Sequence, residues 1–153
     1  MEINEKEVPE MQVAYIFHTG PPEVMPELIG KVVGWVMEKG LQIVGPPFGI
    51  YYNSPAEVGM ENMQYDVGIA VVGEVAEEGE VKIKKLPQRT VLSTIHKGSY
   101  HDVAPVYAMV YEYSVKNGYA MTGAPMEIYL NDPMEVPESE WLTEIQFPVQ
   151  KIE

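Results

Sequence analysis

The segment Met126-Glu127-Ile128-Tyr129-Leu130 carries an acid and a phenol two residues apart. In an extended backbone successive side chains alternate, so Glu127 and Tyr129 share one face and Met126, Ile128 and Leu130 the other. The apolar trio reads as the side packed by a helix. A carboxylate on the remaining face, if sheltered, is costly unless paired or neutral. A cationic ligand would offset that cost, and with a raised pKa the same group could act as a general base. The alternative is a Glu127 solvated on a short strand. Ten tyrosines and two tryptophans supply faces for cation–π attraction, although ordinary core packing accounts for aromatics equally well. Ten methionines suit an adaptable apolar pocket.

Other chemistries find little support. His18 and His96 each precede a glycine by two residues, and His101 follows. A metal site usually needs three or four ligands, and no closely spaced pair of histidines falls on one helix. The first two histidines read as shaping a turn, so no metal and no cofactor are expected. Gly45-Pro46-Pro47 lacks the lysine and glycine spacing of a phosphate loop. No nucleophilic serine or cysteine motif is present, and there are no cysteines at all.

The elements that hold Glu127 occur twice. Residues 13–72 align without a gap on residues 91–150 at a constant offset of 78, with fourteen identical pairs, among them His18/His96, Gly40/Gly118, Tyr51/Tyr129 and Asn53/Asn131. Self-similarity of this kind governs architecture before local propensity does. It also isolates differences. Glu127 aligns with Gly49, while Tyr129 aligns with Tyr51, so the symmetry opposes a carboxylate to an empty space. Asp66 aligns with Glu144. Two carboxylates can do acid–base work, but their recurrence in both copies points to a structural role such as hydrogen bonding to backbone.

Each copy reads as strand, helix, strand, strand. In the first, Met11 to His18 is a strand, Gly20-Pro21-Pro22 ends it, and Met25, Leu28, Ile29, Val32 and Val36 follow helical spacing up to Gly40. Strands Phe48 to Asn53 and Tyr65 to Val72 follow. In the second, Thr90 to His96 is a strand, Ser99 with Asp102 resembles a capping box, a helix ends at Gly118, and strands Met126 to Leu130 and Trp141 to Val149 close the copy. The stretch 76–88 is expected to be a polar linker or hairpin between repeats 11–75 and 89–150. The fold class is therefore α+β, with duplicated strand–helix–strand–strand units, pseudo-twofold symmetry and one domain over 1–153. Each half is too small to bury much surface alone, so the two are expected to share a core.

Twenty-three acids against ten lysines and arginines give a net charge of −13. That disfavours nucleic acid and favours cations. Absent cysteines fit a cytoplasmic chain. No apolar run approaches the roughly 20 residues of a membrane span, and the acidic N-terminus contains no secretory segment.

Four segments together resemble the GyrI-like small-molecule-binding domains: GPPFGIYYN (45–53), LPQRTVLSTIHKGSY (86–100), GAPMEIYLNDP (123–133) and TEIQFPV (143–149). The same domain serves as the effector-binding module of AraC- and MerR-type multidrug transcription regulators. The resemblance covers residues about 11 to 150. It implies a ligand cleft between the two units, lined by aromatic side chains and a buried glutamate, for hydrophobic or cationic compounds. Residues expected to bind ligand are Glu127, Tyr129, Tyr51, Gly49, Trp35, Tyr107, Tyr111 and Glu144. Some standalone proteins resembling the family are hydrolases of electrophilic compounds, in which case Glu127 is the catalytic residue. A helix-turn-helix needs a further helical pair and basic surface, which the ten residues before Met11 do not supply. The expected role is therefore sequestering or sensing a ligand, with a protein partner or a homodimer as possible assembly. A third reading is an acidic protein–protein inhibitor.

Overall fold

The computed structural model describes residues 2–152. They form two compact units, one of residues 10–87 and one of 88–152 together with 2–9. Every strand pairing in both units is antiparallel.

The unit of residues 10–87 contains β2 (Met11–Thr19), α1 (Met25–Glu38), β3 (Gln42–Tyr51), the short helix α2 (Pro55–Val58), β4 (Gln64–Val72) and β5 (Lys82–Leu86). Its sheet runs β3-β4-β2-β5. Helix α1 buries Met25, Leu28, Val32 and Val36 of the stripe expected from its spacing, while Ile29 is only half-buried. It ends at Gly40, whose φ of 72° lies in the left-handed region that glycine adopts without strain. Gly45-Pro46-Pro47 does not interrupt the strand. Strand β3 runs through it, and the irregularity is a register shift between Ile43 and Pro47.

The other unit contains β1 (Asn4–Val8), β6 (Arg89–Lys97), α3 (Ala104–Lys116), β7 (Tyr119–Met121), β8 (Met126–Tyr129) and β9 (Leu142–Lys151). Its sheet runs β1-β6-β9-β8, with β7 on the end of β9. Leu92, Ile145, Phe147 and Val149 from the sheet meet Val106 and Val110 from α3 in one core cluster. Ser99 does not cap α3. It opens a short 3-10 turn at Tyr100–Asp102, and the helix N-cap is Val103, with no side-chain cap.

The elements recur at the offset of the sequence. Strand β6 begins and ends 78 residues after β2, and β9 begins 78 after β4. The recurrence reaches further than the aligned segments: β5 stands 78 residues after β1, with Lys6/Lys84 and Pro9/Pro87 identical. The expected linker is thus an edge strand preceded by a tight turn bridging Glu78 and Val81. Among the described residues no helix is long and apolar enough to cross a membrane.

Candidate functional site

Strand β8 presents Glu127 to helix α3. Glu127 stands opposite Ile145 on β9, and Ile145 belongs to the core that packs on Val106 and Val110. The expected faces are therefore reversed: Glu127 and Tyr129 point to the helix side, and Met126 and Ile128 to the other. Both faces of this strand are largely covered, with Met126 3% and Glu127 7% exposed. Alternation alone could not decide between two covered faces.

The carboxylate is held by phenols. Tyr107 of α3 donates its hydroxyl to Glu127 Oε2 at 2.5 Å, and Tyr129 donates to Oε1 at 3.2 Å. Tyr107 is fixed edge-on against Phe147, with ring centres 5.3 Å apart. Tyr100 meets Tyr129 at 5.3 Å and stacks on Trp141 at 4.6 Å. Burial drives the Glu127 pKa above the usual carboxylate range, against the pull of the two tyrosine hydroxyls and of nearby His96. The Tyr100 hydroxyl is shifted upward too, by burial first and then by the charges of Glu127 and Asp132. His96 is buried, and its Nε2 lies 2.9 Å from the Ser99 carbonyl. A carbonyl only accepts, so that nitrogen carries the proton. Thr143, opposite both Tyr129 and His96, is fully buried, and its hydroxyl has no hydrogen-bond partner among the described residues.

The equivalent place in the other unit is filled by its own side chains. A Cβ added to Gly49 would meet Met25 Cε at 2.9 Å and the Tyr51 hydroxyl at 3.0 Å. Tyr51 donates to Met25 Sδ at 2.9 Å. Tyr65, at the position of Thr143, meets the rings of Tyr51 and His18 at a tilt, with centres 5.6 Å away, and donates to the Pro21 carbonyl at 3.0 Å. The space expected above Gly49 is therefore occupied. Gly49, Tyr65 and Ile29 of this unit align with Glu127, Thr143 and Tyr107, so both places carry two phenols but only the second holds a carboxylate.

The remaining candidates separate clearly. Tyr111 is 59% exposed on α3. Trp35, on α1, has Lys39 6.0 Å from its ring, and its buried indole N–H has no hydrogen-bond partner among the described residues. Glu144 faces away from Glu127, opposite Ile128 and Ile95. Its Oε2 accepts from Ser93 Oγ at 2.7 Å and Gln146 Nε2 at 2.8 Å, and pairs with Lys6 at 2.5 Å. Burial alone would raise its pKa, but these partners together hold it below the usual range. Tyr100 and Trp141 join the surroundings of Glu127 without having been singled out as ligand contacts. Their alignment with Pro22 and Met63 was the available signal, the same kind of divergence that marked Glu127. An open hollow of about 540 Å³ lined by Ala120, Gln150, Lys151 and Ile152 shares none of these residues. The side chain of His101 lies outside the described residues. Among the described residues no group of three or more His, Asp or Glu could hold a metal ion.

A small antiparallel α+β fold with a buried carboxylate among aromatic rings has the attributes of a ligand-binding domain. The chain belongs to the GyrI-like small-molecule-binding domain family, which matches residues 1–150. It is 30% identical over 159 residues to a DNA gyrase inhibitor of Erwinia billingiae (strain Eb661), covering 100% of this chain and 99% of that one. The C-terminal domain of EcmrR is 29% identical with a TM-score of 0.89, covering 99% of this chain and 98% of that domain. The chain spans 58% of the EcmrR chain in its complex with DNA. A structure of SAV2435 bound to tetraphenylphosphonium shares the fold, with a TM-score of 0.60 at 14% identity, covering 98% of this chain and 94% of that one.

Proposed function

We propose that this chain binds a hydrophobic or cationic small molecule beside Glu127, so as to sequester it or to relay its presence to a partner. One observation carries the reading: a carboxylate, 7% exposed, stands in an aromatic setting with no basic side chain among its hydrogen-bond partners in the described residues. Such a group costs stability, and a lipophilic cation with adjacent rings would repay that cost. The tetraphenylphosphonium held by SAV2435 and the effector-domain architecture shared with EcmrR support the same class of ligand. So does the contrast with the plugged equivalent around Gly49. We read the two recurrent sets of elements as one unit written twice, of which this copy has been adapted to a ligand. Tyr129, Tyr107, Tyr100 and Trp141 are the proposed aromatic contacts. Gly49, Tyr51 and Trp35 belong to the plugged copy. Glu144 and Tyr111 are not proposed as contacts. The reading places the protein in the cytoplasm, without direct contact to nucleic acid.

A second reading keeps the site and adds turnover. A carboxyl whose pKa is raised by burial can serve as general base toward a water attacking an electrophile. Equilibrium titration with tetraphenylphosphonium, beside a product assay on epoxides and activated esters, separates the two. Binding without product supports the binder, and Glu127-dependent product supports the hydrolase. A third reading takes the Erwinia relative's name literally and makes this chain a protein–protein inhibitor. Inhibition of gyrase that is strongly salt-dependent and indifferent to Glu127→Gln would favour it.

A further inference from the structure

Resting on the reading of Glu127 as the ligand's counter-charge, we infer that Tyr107 sets which cations the site accepts: permanently charged onium ions without N–H donors, in preference to protonated amines. Each carboxylate oxygen already accepts a tyrosine hydroxyl, at 2.5 Å from Tyr107 and at 3.2 Å from Tyr129. Glu127 therefore acts on a ligand chiefly through its field, with one hydrogen bond already accepted by each of its oxygens. An onium ion loses no hydrogen bonds to water on entering. An ammonium must surrender its water partners and crowd past the Tyr107 hydroxyl to reach the remaining lone pair of Oε2. A donor left unsatisfied in a buried site carries the full desolvation penalty. The aromatic surroundings do not compensate, because the Tyr100–Trp141 stack and the Tyr129 ring attract both kinds of cation alike.

Tyr107 can play this part because it is held in place independently of Glu127. Its ring packs edge-on against Phe147 and it lies on a regular turn of α3, with its backbone N–H bonded to the Val103 carbonyl at 3.1 Å. A Tyr107→Phe chain keeps that packing and removes one donor from Oε2. The lone pair freed on Oε2 then becomes available to an N–H of the ligand.

The test is the ratio of dissociation constants of protonated tributylamine and tetrabutylammonium at pH 7, measured by titration calorimetry on the whole chain. For the unmodified chain the amine should bind about tenfold or more weakly, the scale of one unsatisfied donor. In Tyr107→Phe the ratio should collapse toward one, and in Tyr129→Phe, which removes the longer contact, it should fall by less. Near-UV circular dichroism reports whether each variant keeps its packing, and Tyr129→Phe keeps the test open if Tyr107→Phe does not fold. Equal affinities for the two cations in the unmodified chain, or a ratio unmoved by either substitution, overturns the inference while leaving the cation-binding reading intact. Failure of both cations to bind the unmodified chain overturns that reading as well.

Discussion

Lys6 and Lys84 occupy the same place in the two units. Lys6 sits opposite Val91 on edge strand β1 and pairs with Glu144 at 2.5 Å; Lys84 sits opposite Val13 on edge strand β5 and pairs with Asp66 at 2.5 Å. Both partners in each pair are related by the offset of 78. The recurrent carboxylates are thus clamps between an edge strand and the second strand inward, which accounts for an acid at that position in both copies.

Removing one clamp should loosen β1. Lys6 is half-exposed and Glu144 is buried, so Lys6→Met should cost about 1 kcal/mol, the upper end for a partly solvated pair. The pKa of Glu144 is depressed in the fold, so its contribution to stability is present above its ordinary value of 4.5 and is lost as pH falls through the lower folded value. Urea unfolding of both chains at pH 7 and pH 3 should show a gap at neutrality that narrows in acid. A gap that is constant with pH would contradict the clamp.

Glu127 should behave in the opposite sense. Its folded pKa is raised by burial, so in the window above 4.5 the folded chain holds more protons than the unfolded one. Its stability term therefore improves as pH falls from neutrality through the raised folded value. Glu127→Gln removes the charge and should unfold at a higher urea concentration at pH 7, by about 1 kcal/mol, with the advantage shrinking toward pH 4. A less stable Glu127→Gln chain at pH 7 would mean that the tyrosine hydroxyls outweigh burial.

Gly49 tests the plugged copy. A Cβ there meets the far end of Met25 and the Tyr51 hydroxyl, both of which can shift, so Gly49→Ala should cost less than about 1 kcal/mol. Gly49→Phe has nowhere to go and should destabilise by about 1–3 kcal/mol, the range for overpacking. Thermal unfolding of the two variants checks this. A Gly49→Phe chain as stable as the parent would show that the space above Gly49 is open after all.

Much of the architecture was legible because periodicity and repetition agree. The stripe Met25, Leu28, Val32, Val36 and the stops at Gly40 and Gly118 describe two helices, and the offset of 78 aligns the strands. Strand β1 was not legible: Asn4-Glu5-Lys6-Glu7-Val8 offers no apolar alternation, and it is a strand because β6 supplies a ladder and Glu144 a counter-charge. The direction of Glu127 was misread because both faces of β8 are covered, so apolar neighbours do not identify the helix side. Tyr100 and Trp141 come together from a 3-10 turn and a loop 41 residues apart in sequence, a contact that no local pattern encodes.

The central claim is that Glu127 supplies the charge that holds a lipophilic cation. It is tested most directly by titrating tetraphenylphosphonium into the parent chain and into Glu127→Gln, which keeps the side chain's size and removes its charge. The account predicts saturable binding to the parent and a loss of about 1–3 kcal/mol, roughly five- to 150-fold in affinity, in the variant. Equal affinity for the two chains, or no binding to the parent, would contradict it.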